Sequence, residues 1–174
     1  SEVEEIVKEA KRRIDELLKK VDELLKESER YARKSLKDNK DMVRRSEERI
    51  RELLEKIKRD GPDDKIREEL KKINKESEDL IRKNKEDNER FHKKTEDMLK
   101  RLKEELDEIE ERIRRKGLGS EAEKRLKDLL DRVKEKLDEV RRRDRELLEE
   151  SKDLSRRWKE RDDRLLEEVE KALK

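Results

Sequence analysis

The chain has 174 residues, 62% charged and 28% hydrophobic, and its 55 basic and 53 acidic residues nearly cancel to a net charge of +2. Such a composition borders on the disordered class, where too little apolar surface offsets chain entropy, so a fold must rest on strict hydrophobic periodicity. Both signs are interleaved throughout, which argues against nucleic acid as a partner; cysteine is absent, which excludes disulfides and thiolate metal sites; and no apolar run approaches the roughly 20 residues of a bilayer span, so the expectation is a soluble protein, cytoplasmic when expressed recombinantly.

The first predicted element runs from about 2 to 59. Its apolar or small polar residues fall at 3, 6, 10, 14, 17, 21, 24, 28, 32, 35, 39, 42, 46, 50, 53 and 57. The steps repeat as 3, 4, 4, 3, 4, a cycle of 18 residues in five turns. That is about 3.6 residues per turn, the repeat of a straight helix rather than of a supercoiled heptad. Ser1 and Glu4 have the spacing of a capping box. Leu18, Leu25, Leu36, Val43 and Leu54 widen the apolar stripe on one flank to about 120°, enough for a helix to pack against two neighbours.

Gly61-Pro62 ends this element: glycine suits a left-handed C′ position, proline prevents continuation, and Asp63 or Asp64 is placed to cap the next helix. The second element, about 64 to 116, keeps the same cycle through 66, 70, 73, 77, 80, 84, 88, 91, 95, 98, 102, 106, 109 and 113. Gly117-Leu118-Gly119-Ser120 is a second stop, with Ser120 and Glu123 spaced as another capping box. The third element, about 121 to 174, continues through 122, 126, 129, 133, 137, 140, 144, 147, 151, 155, 158, 162, 165, 169 and 173. Glu16 with Lys20 and Glu111 with Arg115 place acid before base at i, i+4. The expected fold is all-α, an elongated up-down-up antiparallel three-helix bundle of near-untwisted helices. It forms a single domain over 1–174, about 80 Å long at 1.5 Å per residue.

The stripes carry polar residues at matching levels. Ser28, Ser35, Asn39 and Ser46 reflect about Gly61-Pro62 onto Thr95, Asn88, Asn84 and Ser77, and these reflect about Gly119-Ser120 onto Asp144, Ser151, Ser155 and Asp162. The reflections define four polar layers: Ser28 with Thr95 and Asp144, Ser35 with Asn88 and Ser151, Asn39 with Asn84 and Ser155, and Ser46 with Ser77 and Asp162. A buried amide or hydroxyl costs roughly 1–3 kcal/mol when unpaired, so their shared levels point to mutual hydrogen bonding. The two aspartates are expected to accept from hydroxyls in their own layers, or from Arg143 and Arg161 at the stripe margin.

A polar cavity, an ion path or an acid-base carboxylate pair are the chemical readings of these layers. Asp144 and Asp162 are 18 residues apart on one helix, about 27 Å, whereas catalytic carboxylate pairs lie within roughly 10 Å. His92, the sole histidine, sits at a stripe margin level with Tyr31 and has no second imidazole or cysteine with which to share a metal. Trp158 and Phe91 have core spacing rather than that of a base-stacking platform. No phosphate loop or nucleophile elbow is present. The expectations are therefore no catalytic residue, no cofactor and no metal.

Uniform periodicity, near-equal helix lengths, surfaces filled with Glu, Lys and Arg, short loops and the registered sets Ser28 to Ser46, Ser77 to Thr95 and Asp144 to Asp162 resemble de novo designed helical bundles with buried hydrogen-bond networks. The resemblance covers the whole chain. It implies a very stable scaffold with no natural substrate, whose polar layers specify helix register and pairing. The first expectation is a monomer. The alternative is an interaction module, either a homo-oligomer or three helices that capture a partner helix in a groove. A de novo enzyme or ligand binder is a third reading, and it requires room for more than a water among the layers.

Overall fold

The computed structural model describes residues 1–174. It consists of three α-helices, α1 (Glu2–Asp60), α2 (Asp64–Lys116) and α3 (Ser120–Leu173). Each helix presents one apolar stripe and a charged remainder, so burial of the stripes drives folding, aided by acidic first turns and basic last turns that complement the helix dipoles.

The termini show how the sequence stops each helix. The Gly61 N–H donates to the Ile57 carbonyl at 2.8 Å with φ at 82°, the left-handed C-cap conformation. Asp63, rather than Asp64, supplies the next cap, its Oδ1 accepting the Lys65 N–H at 3.1 Å. At the second break the Gly119 carbonyl takes the Glu123 N–H at 3.1 Å, and Ser120 is already helical. Gly119 therefore stands at the N-cap, one residue before the serine that the capping-box spacing favoured. At the chain's start the Ser1 hydroxyl does accept the Glu4 N–H, at 3.3 Å.

The chain divides into two compact units, and each helix contributes to both. Unit 1 comprises residues 1–31 and 91–147, and unit 2 comprises 32–90 and 148–174. In unit 1, Lys20 pairs with Glu105 and Glu27 with Lys94, so numbers rise on α1 as they fall on α2. Glu110 with Lys134 and His92 with Asp144 give the same opposed order for α2 and α3. Its core is apolar, built from Ile14, Leu17, Val21 and Leu24 of α1, Leu99, Leu102, Leu106 and Ile109 of α2, and Leu126, Val133, Leu137 and Val140 of α3. Leu118, between the two glycines of its loop, is buried against that core and anchors the turn.

Unit 2 shows the same directions. Ser46 lies against Ser77 and Arg49 against Glu76, while Asn84 meets Ser155 and Asn88 meets Ser151. Its apolar core is confined to the end near the Gly61 turn, where Ile50, Leu53 and Ile57 pack with Ile66, Leu70, Ile73, Leu166, Val169 and Leu173. Arg67 closes this end by donating to the last carbonyl of α3, that of Leu173, at 3.1 Å. The remainder of unit 2 is where polar residues replace aliphatic ones at stripe positions.

Candidate functional site

The polar residues of unit 2 form two connected clusters. Ser46 Oγ donates to Asp162 Oδ1 at 2.9 Å and lies 3.2 Å from Ser77 Oγ, so one residue from each helix meets at this level. Asp162 is 5% exposed. Burial pushes its carboxyl above the ordinary carboxylate range, the Ser46 and Ser77 hydroxyls pull it back, and Asp163 and Glu47 add to the rise. The second cluster is centred on Asn88, whose Oδ1 accepts from Ser35 at 3.2 Å and whose amide donates to Ser151. An amide is suited to this central place because it both accepts and donates.

Two levels depart from the sequence expectation. Asn84 donates to Ser155 at 3.4 Å, but Asn39, 1% exposed, leaves its Oδ1 without a hydrogen-bond partner, so the layer joins two helices only. In unit 1 the expected set of Ser28, Thr95 and Asp144 is buried, yet Ser28 Oγ has no partner and Asp144 faces His92 instead. The marginal arginines do not reach the aspartates either. Arg143 pairs with Glu146 at 3.3 Å and Arg161 with Glu47 at 2.9 Å.

His92 is the residue that sequence reasoning undervalued. Its Nδ1 lies 2.6 Å from Oδ2 of Asp144, and its Nε2 lies 3.1 Å from Oε1 of Glu96, one turn along α2. The two groups are in direct contact, with the ring tilted off the ideal hydrogen-bond line to Asp144. Burial raises the Asp144 carboxyl above its ordinary range, His92 opposes that rise through charge and hydrogen bonding, and Glu96 adds to it. The signal available in sequence was the placement of His92 three residues before Thr95, on the flank that turns toward α3.

The aromatic residues are structural. Tyr31 and Phe91 stack in unit 1 with ring centroids 3.9 Å apart and planes 6° from parallel. Trp158 is 3% exposed in unit 2, with its Nε1 unpartnered. A surface groove of about 290 Å³ runs between α2 and α3 in unit 2, lined by Ile81, Asn88, Leu148, Ser151 and Ser155 among others. It exists because serine occupies positions where leucine would fill the seam. No helix is long and apolar enough to cross a membrane.

No family model matches the sequence, and no curated protein matches it. Among solved structures, a computationally designed three helix bundle aligns with 99% of this chain and 87% of its own length, at a TM-score of 0.58 and 20% identity. Three continuous helices, opposed neighbours and stripe-to-stripe burial agree with that likeness: the chain has the three-helix-bundle fold.

Proposed function

We propose that this chain is a designed structural scaffold, a single three-helix domain over 1–174 and a monomer, whose buried polar clusters set helix register and pairing. It has no natural substrate and no catalytic activity. The observation that carries the reading is the meeting of Ser46, Ser77 and Asp162, one residue from each helix, at hydrogen-bonding distance and out of solvent. Sliding one helix by a turn, about 5.4 Å, would strand a buried carboxylate against apolar side chains such as Ile50 and Ile73, while apolar stripes alone would tolerate the slip.

The test compares the protein with a variant lacking the Asn88 cluster, Ser35→Ala with Asn88→Leu and Ser151→Ala. Light scattering on a sizing column should give 21.4 kDa for the parent. Spin labels on α1 and α2 should report one sharp distance in the parent and a broader distribution in the variant. A parent dimer or trimer, or equally sharp distances in both, would overturn the proposal. The groove between α2 and α3 supports a second reading, an interaction module that seats a partner helix along Ile81, Asn88 and Leu148. A larger particle in the sizing experiment would favour it.

A further inference from the structure

Both nitrogens of the His92 ring face carboxylate oxygens. Asp144 Oδ2 lies 2.6 Å from Nδ1 on the buried side of the ring, and Glu96 Oε1 lies 3.1 Å from Nε2 on its open side. An imidazole nitrogen and a carboxylate oxygen at that separation on one helix face are spaced to share a single cation.

The geometry fits a metal ion. Bonds of about 2.0 Å to imidazole nitrogen and about 2.1 Å to a carboxylate oxygen span 3.1 Å when they meet at roughly 100°, near the cis angle of a tetragonal or octahedral ion. Sequence spacing supplies the rigidity, since residues four apart on a helix project from one face. Asp144 supplies the orientation: a carboxylate against the far ring nitrogen is the usual outer partner of a metal-bound histidine, fixing both tautomer and plane. The near side is open, with the Glu96 side chain 63% and the His92 side chain 24% exposed. No third imidazole or carboxylate joins the group, so water would complete the sphere.

We propose that Nε2 of His92 and the Glu96 carboxylate form a two-residue chelate for a divalent first-row transition ion, oriented by Asp144. Copper(II) heads the affinity order for such nitrogen and oxygen donors and is the probe to use. The charged groups in contact with the ring are Asp144 of α3 and Glu96 of α2 itself.

Copper(II) is titrated into the full chain at neutral pH and followed by calorimetry and electron paramagnetic resonance, with circular dichroism confirming that each variant stays helical. One strong equivalent should appear, with hyperfine coupling to a single imidazole nitrogen. His92→Gln should abolish it, and Glu96→Gln should weaken it while the nitrogen coupling persists at higher copper. Asp144→Asn should weaken it about 10–100-fold, the usual effect of losing an outer carboxylate. Equal copper binding by the parent and His92→Gln means diffuse surface carboxylates, and a parent spectrum without nitrogen coupling means that Nε2 is not a ligand. Either result overturns the proposal.

Discussion

Asn39 of α1 and Asn88 of α2 both occupy stripe positions, in different polar layers, yet the structure gives them opposite values. Asn39 is 1% exposed and its Oδ1 has no hydrogen-bond partner. An unpaired buried polar group costs about 1–3 kcal/mol, and a leucine there would bury apolar surface worth about 1.5–3 kcal/mol, less some strain from the change of shape. Asn39→Leu should therefore stabilise the protein by about 1–3 kcal/mol. Asn88→Leu makes the same apolar gain but forfeits the hydrogen bonds to Ser35 and Ser151, each worth about 0.5–1.5 kcal/mol. It should be less favourable than Asn39→Leu by about 1–3 kcal/mol, a difference in which the apolar contribution largely cancels. Equilibrium unfolding in guanidinium chloride, followed by helical circular dichroism, reads this directly. With a slope of about 4 kcal/mol per molar, 2 kcal/mol moves the midpoint by about 0.5 M. A lower midpoint for Asn39→Leu, or equal midpoints for the two variants, would refute the reasoning and place Asn39 among the hydrogen-bonded residues.

Two further outcomes rest on particular residues. Because burial raises the Asp162 carboxyl above its ordinary value near 3.8, the folded state binds this proton more readily than the unfolded state does. Its contribution to stability is therefore present at acid pH and is lost as pH rises from that ordinary value through the raised folded range. Asp162→Asn keeps an acceptor for Ser46 and removes the charge, so it should raise the unfolding midpoint at pH 7 more than at pH 4; a larger gain at pH 4 would contradict this sign. Gly61→Ala should cost about 1–2 kcal/mol in thermal or chemical unfolding, since φ is 82° and nothing lies within 4 Å of the added carbon, leaving backbone strain as the sole penalty. No loss would show that the turn relaxes.

Much of the fold was legible because it depends on periodicity. The 18-residue cycle and the Gly61-Pro62 and Gly117 to Ser120 breaks place three helices to within about a residue of their observed ends. Reflection about the breaks also brought together Ser46, Ser77 and Asp162, and Ser35, Asn88 and Ser151, because residues at equal heights on opposed helices are neighbours whatever their rotamers. Height says nothing about direction. Asn39 reaches the level of Asn84 and Ser155 without pairing its Oδ1, and Ser28 reaches that of Asp144 while His92 takes the contact. An imidazole on a stripe flank looks marginal in sequence, but its length carries it to a buried carboxylate on the next helix.

Sequence by itself determined three helices, their ends, the faces they bury and the levels at which polar groups lie, because each arises from 3.6-residue geometry and local capping chemistry. Tertiary structure alone decided which polar groups bond, that Asp144 is answered by His92, and that serines leave a groove between α2 and α3. Hydrogen bonds depend on side-chain directions to within a fraction of an ångström, and those directions are fixed only when the helices pack.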